Sequence, residues 1–335
     1  MRAISILFVM IRHFEITHLV SANLGVTIFF FISGFIITRV LVDEHVRRGS
    51  ISLRNFFWRR LIRLWPALWA MMAAMIAYAL IFNLKIDWHQ VAAGLFYYMN
   101  YYSIMLRESQ EAYTLPINPL WSLAGEEHFY LIYAPLLIAF IGQPKRLYYA
   151  VCGLIVAALI WRVVNVYALG FTPKYNYFAT EARIDSILYG CALALAAHFG
   201  FFSGLIKRCD NVLVILAAGA ALMGTIVLMD ENTSHTFRYS LQGICLFVLF
   251  AGTIFGSQLA WARGLLSLPP FVFVGKISYS LYLWHLPCIF ATNMFLPAYS
   301  AASIGLASVL SFALATASYT FIEKPLLKYR HAFSR

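Results

Sequence analysis

Two residue types serve acyl or phosphoryl transfer well: a histidine that accepts a proton near neutral pH, and an arginine that holds a phosphate or an oxyanion. The chain opens with such a pair, Arg2 and His13. Eleven positions, about three helical turns, separate them and put both on one helix face. The bland alternative is a helix-start arginine and an interfacial histidine. Arg60 and Arg63 follow in FWRRLIRLWP, spaced to share a face and clamp the phosphates of a cytosolic donor, or to anchor to anionic lipid. Glu126 and Glu127 sit beside His128 in WSLAGEEHFY, where an acid could position His13 or a helix arginine. Arg183 and Asp185 are too close in sequence to share a helical face, so each is expected to pair with another helix, and both are expected at the substrate pore. Ser278, Tyr282 and His285 form one face that either lines a pore for a sugar or an acyl chain, or simply packs.

These residues matter because of where they stand. Of 335 residues, 62% are hydrophobic and 12% charged, too few charges to clothe soluble domains of that size. Each ionisable group inside an apolar run is therefore costly and a functional candidate; Arg12, Glu15, Arg162 and Glu323 complete that set. A spanning helix needs about 20 mostly apolar residues. Eleven runs qualify: 1–18, 19–42, 65–83, 88–106, 119–141, 147–169, 184–199, 211–229, 238–255, 271–296 and 301–322. The first is odd, because its apolar stretch stops at Arg12 and His13.

The net charge of +11 comes from 25 basic and 14 acidic residues. The basic residues cluster between apolar runs, which points to membrane orientation rather than to nucleic acid. The segment 43–64, with six arginines, is expected to be the main cytoplasmic loop. Lys145–Arg146, Lys207–Arg208, Arg263 and the tail from Lys324 through Lys328, Arg330 and Arg335 are expected on the same side. All fall inside only if one run between 65 and 141 does not cross. The weakest is 88–106, which carries Asn100 and four tyrosines and is expected to be re-entrant or interfacial. The fold class is thus all-α: a polytopic membrane bundle of about ten transmembrane helices plus that segment, with both termini cytoplasmic.

Motifs narrow the chemistry. There is no GxSxG elbow, Walker loop, HExxH or GxGxxG. Cys152, Cys191, Cys209, Cys245 and Cys288 form no CxxC, so neither a disulfide framework nor a metal site is expected. No cleavable signal peptide, linker, internal repeat or soluble domain is evident.

In order, the motifs resemble the membrane-bound acyltransferase 3 family of bacterial O-antigen, exopolysaccharide and Nod-factor O-acetyltransferases. They are Arg2 with His13, GVTIFFFISGF from Gly25, FWRRLIRLWP from Phe57, WSLAGEEHFY from Trp121, Arg183-Ile-Asp185 through Gly190, ISYSLYLWHLP from Ile277, and FIEKP from Phe321. The resemblance covers the chain from end to end and implies one acyltransferase transmembrane domain over 1–335. Some relatives carry an SGNH-type hydrolase domain that this chain does not show.

It further implies a bacterial inner-membrane enzyme that uses cytosolic acyl-CoA, with acetyl-CoA the first expectation, and binds no cofactor. The acceptor would be a glycan or glycolipid hydroxyl, as in lipopolysaccharide or exopolysaccharide. Membrane lipid is the other expected partner, and oligomeric state is open. The resemblance makes Arg2 and His13 catalytic and associates Arg60 and Arg63 with the donor. Departures are Thr27, where an acid is common, Gly125 and His128, where an aliphatic residue and a glutamine are usual, and a missing Asp-Gly-Leu lead-in before Arg2, as if the N-terminus were clipped or mis-started. A transporter or flippase without covalent chemistry, and a binding or assembly subunit, are the rival classes.

Overall fold

The computed structural model describes residues 1–17 and 21–328. Arg330 and Arg335 of the basic tail lie outside the described residues. Every regular element among the described residues is helical. In chain order these are α1 (Arg2–His13), α2 (Ala22–Arg48), α3 (Leu53–Ile81), α4 (Trp88–Leu95), α5 (Met99–Glu108), α6 (Leu120–Phe140) and α7 (Pro144–Tyr167). There follow α8 (Pro173–Phe178), α9 (Thr180–Phe199), α10 (Ser203–Arg208), α11 (Val212–Val227), α12 (Glu231–Thr236) and α13 (Arg238–Phe255). The last are α14 (Ala260–Leu266), α15 (Pro269–Phe295), α16 (Ala301–Ser318), a π-helical turn (Tyr319–Glu323) and α17 (Lys324–Leu326).

Five helices are long and apolar enough to cross a membrane: α2, α3, α7, α13 and α16 with its extension to Leu326. A sixth results if α14 and α15, bent by 66° at their junction, are taken as one span. The twelve residues of α1 rise about 18 Å, less than the hydrocarbon thickness. The apolar stretch 88–106 is broken into α4 and α5, neither long enough to span. The Tyr102 hydroxyl, on the first turn of α5, donates to Asp87, which caps α4 through the His89 N–H at 2.8 Å, so the start of α5 is tied to the start of α4.

The expected loop at 43–64 is mostly helix instead. Arginine is a good helix former, so basic residues mark the ends of α2 and α3 without unwinding them. Only residues 49–52 are non-helical there. Gly49 ends α2 at a left-handed φ of 72°, and Ser52 caps α3 by accepting from the Asn55 N–H at 3.3 Å. Arg54, Arg59, Arg60 and Arg63 therefore sit on the first turns of α3, and the last three line an interior cavity.

Three helix pairs position the functional side chains. Helix α1 packs antiparallel to α2, with Ser5 Oγ donating to the Gly25 carbonyl at 2.6 Å. Helix α15 runs beside α1 in the same direction, so that Gly275 faces Ala3 and His285 meets His13. Helices α2 and α9 approach backbone to backbone. A Cβ on Gly34 would lie 2.0 Å from the Ile187 carbonyl oxygen, and one on Gly190 would lie 2.0 Å from that of Phe31. Without a hydrophobic drive between helices in lipid, such close contact is what holds them.

Gly190→Ala is expected to cost at least ~1–3 kcal/mol, since backbone must yield. Gly153, with open space around its Cβ position, supplies the control: Gly153→Ala is expected to be neutral or slightly stabilising. Thermal melting of both variants in detergent checks this.

Candidate active site

His13, the last residue of α1, is partly exposed; His285, within α15, is fully buried. The His13 Nδ1 and His285 Nε2 atoms are 2.8 Å apart, and the two rings are nearly parallel. The other His285 nitrogen, Nδ1, is 3.1 Å from the Leu281 carbonyl oxygen. A carbonyl only accepts, so His285 Nδ1 carries a proton. Neutral His285 then accepts at Nε2, and His13 must donate from Nδ1. This leaves the lone pair of neutral His13 on Nε2, the arrangement of a general base held by its second nitrogen.

Below this pair lies a cavity of about 190 Å³. Its lining includes Arg2, Arg59, Arg60, Arg63 and Glu126 together with Ser122, Ser278 and Tyr282. The Tyr282 hydroxyl donates to the Pro119 carbonyl at 2.8 Å and accepts from Ser122 Oγ at 2.7 Å, which fixes its ring against the cavity. Its ring centroid is 5.6 Å from that of His285. Of the polar face read from α15, Ser278 and Tyr282 thus line the cavity, whereas His285 reaches past it to His13. Arg2 and His13 both point inward, but to different places: Arg2 into the cavity, His13 onto α15.

The two glutamates do not serve His13. Glu127 pairs with Arg60 at 2.6 Å, and the Arg60 guanidinium lies 3.7 Å over the Tyr130 ring. Glu126 accepts from Ser33 Oγ at 2.9 Å and lines the cavity. Of the two roles expected for these acids, positioning a helix arginine is the one the geometry supports. His13 takes a histidine instead.

Arg183 and Asp185 part company, as their spacing implied. Asp185 on α9 pairs with Arg162 of α7 at 2.7 Å and accepts from Ser240 at 2.9 Å, all three buried. Arg162 also donates to the carbonyls of Ala182 and Thr236. Asp185 therefore ties α7, α9 and α13 together and does not reach the cavity. Arg183 lies 3.6 Å over the Tyr239 ring, and its Nη2 donates to Thr27 Oγ1 at 3.2 Å. Neither residue touches the histidine pair.

Sequence reasoning missed the His13–His285 pairing and the aromatic surroundings of Arg183. The first joins residues 272 positions apart and leaves no local signal. The second depends on Arg162 of α7 taking Asp185, a pairing that only the packing shows.

Arg162→Met is expected to destabilise the protein by ~3–5 kcal/mol, because it strands a buried carboxylate. Adding Asp185→Asn should recover part of that loss in a melting experiment.

Comparison with known proteins places this geometry in a family. The acyltransferase domain profile matches residues 1–321. The peptidoglycan O-acetyltransferase OatA of Listeria monocytogenes is 30% identical over 98% of this chain and 55% of its own length. The O-acetyltransferase OatA of Staphylococcus aureus is 31% identical over 98% of this chain and 56% of its own length. The chain thus spans about half the length of these curated relatives. No solved structure matches it significantly. An all-helical bundle with several membrane-length helices and a profile match over almost its full length together make this chain a member of the acyltransferase domain family.

Proposed function

We propose that the chain is a membrane O-acyltransferase, most simply an O-acetyltransferase, that moves an acyl group from cytosolic acyl-CoA to a hydroxyl of a cell-surface glycan or glycolipid. The observation that carries this reading is the histidine pair, with its base nitrogen on the partly exposed His13, above a cavity edged by arginines. Acetyl-CoA is the donor to assay first. Peptidoglycan, in the name of the Listeria relative, joins lipopolysaccharide and exopolysaccharide as an acceptor to assay.

In this reading the chain crosses a bacterial cytoplasmic membrane about ten times, with α4 and α5 as a re-entrant hairpin and both termini cytoplasmic. Arg60 and Arg63 hold the donor's phosphates at the cytoplasmic mouth. Arg2, deeper in the cavity, orients the donor or steadies negative charge developing on the carbonyl oxygen. His13 Nε2 takes the proton of the acceptor hydroxyl as its oxygen bonds to the acyl carbon. The carbon–sulfur bond of the thioester breaks, and the thiolate leaves as CoA. His285 acts through His13, holding its ring and tautomer.

The test uses protein reconstituted in proteoliposomes with labelled acetyl-CoA and glycan. His13→Ala is expected to lower transfer by at least ~10²-fold while the protein still inserts and folds. Transfer at the wild-type rate would remove His13 from the reaction. Free CoA thiol released only when glycan is present would reject a transporter that performs no covalent chemistry.

A further inference from the structure

Arg183 is a cation with nothing to neutralise it. Its side chain is buried, at 2% exposure, and its Nε and Nη1 atoms have no hydrogen-bond acceptor. Its Nη2 donates to the neutral hydroxyl of Thr27 at 3.2 Å, and the hydroxyl of Tyr239, also neutral, is within hydrogen-bonding reach. Arg183 takes no part in the ion pairs Arg59–Glu44, Arg60–Glu127 and Arg162–Asp185. Besides Tyr239, the rings of Phe30, Trp121 and Tyr177 stand within 5.8 Å of the guanidinium. Cation–π contact offsets part of the cost of burying the charge but supplies no acceptor for the two N–H edges.

The surroundings add to the positive charge. Arg238, whose Nε also has no acceptor, lies close enough to act on Arg183 electrostatically, as it does on His235. His235, on the short helix α12, is pushed down to about 4, first by burial and then by the charges of Arg238, Arg183 and Lys174. The Tyr177 and His235 rings meet edge to face at 6.1 Å and close this corner from the end of the bundle. They belong to α8 and α12, six-residue helices packed on each other. The corner is separate from the transfer cavity: on α2, Phe30 faces Arg183 while Phe29 lines the cavity, and on α6, Trp121 and Ser122 divide in the same way.

We propose that Arg183 anchors a second binding site, outside the transfer cavity, for an oxyanion that enters from the α8–α12 end and accepts from its unpartnered Nε–H or Nη1–H, which lie on opposite edges of the guanidinium. A carboxylate or a phosphate suits either edge, with the second Nη2 proton able to serve as the other prong. The group could be carried by a saccharide in solution or by a lipid headgroup. The site does not depend on the role given to His13, and its test involves no turnover.

Thr27 supplies the test. Thr27→Asp puts a carboxylate against the guanidinium from within the protein and so competes with any ligand there. Protein in phosphatidylcholine nanodiscs is melted with increasing glucuronate, inorganic phosphate or, as the neutral control, glucose. A further arm uses nanodiscs with phosphatidylglycerol and no soluble anion. For the wild type, the melting temperature is expected to rise with glucuronate or phosphate and not with glucose. T27D should melt higher than wild type without anion and lose the anion-dependent rise; R183Q should also lose it. A rise confined to phosphatidylglycerol nanodiscs and abolished in both variants supports the site with lipid as the source. An undiminished rise in R183Q, or no anion-dependent rise in any arm, overturns the proposal.

Discussion

The hydrogen bond between His13 and His285 is the contact on which the rest of the arrangement depends. Two histidines facing each other across 2.8 Å can share one proton between those nitrogens but not hold one each. The Leu281 carbonyl, by claiming the far nitrogen of His285, decides which histidine donates. The consequence travels outward to His13 Nε2, which keeps its lone pair. Such a short chain of hydrogen bonds works only if the helices carrying it are fixed, and α1 alone is too short to anchor itself in a bilayer. It is held by α15 alongside and by α2, where Ser5 bonds the Gly25 carbonyl. Helix α2 is in turn fixed against α9 through Gly34 and Gly190.

The same reasoning orders the other polar groups of the interior. In a medium that solvates charge poorly, a charge is paired, cradled by dipoles, or waiting for a ligand. Asp185 and Arg162 belong to the first kind and join three helices. Arg60 is paired with Glu127 yet still edges the cavity, so it is preorganised and can also meet a donor's phosphates. Arg183 belongs to the third kind. Two cationic centres on different faces of α2 and α6 would let the proposed enzyme treat the donor and a second anion separately.

Much of this was legible in the residues. Scarcity of charge made the list of interior ionisable groups short, and Arg2, Arg60, Arg63, Glu126, Ser278 and Tyr282 do converge on one cavity. The run 238–255 coincides with α13, because a mostly apolar stretch that starts from polar residues and ends at Gly256 has few other options. The arginine-rich segment 43–64 misled, because charge reports which side of a membrane a stretch prefers and says little about whether it is helical. The role of Glu126 and Glu127 was half legible: an acid in an apolar run needs a partner, but the partner depends on how helices are arranged. The choice between Arg60 and His13 was made by packing. The match between His13 and His285 lies beyond any local pattern, since it depends on α1 and α15 being neighbours.

The central claim, that His285 holds His13 as the base, is tested most directly by replacing His285 with Phe, which keeps a ring and removes both nitrogens. Steady-state acetyl transfer is then measured across pH. The account predicts that kcat falls and its pH profile shifts, while KM for acetyl-CoA stays near the wild-type value, because the donor's arginines are untouched. A variant that folds and transfers acetyl groups with wild-type kcat and an unchanged pH profile would contradict it.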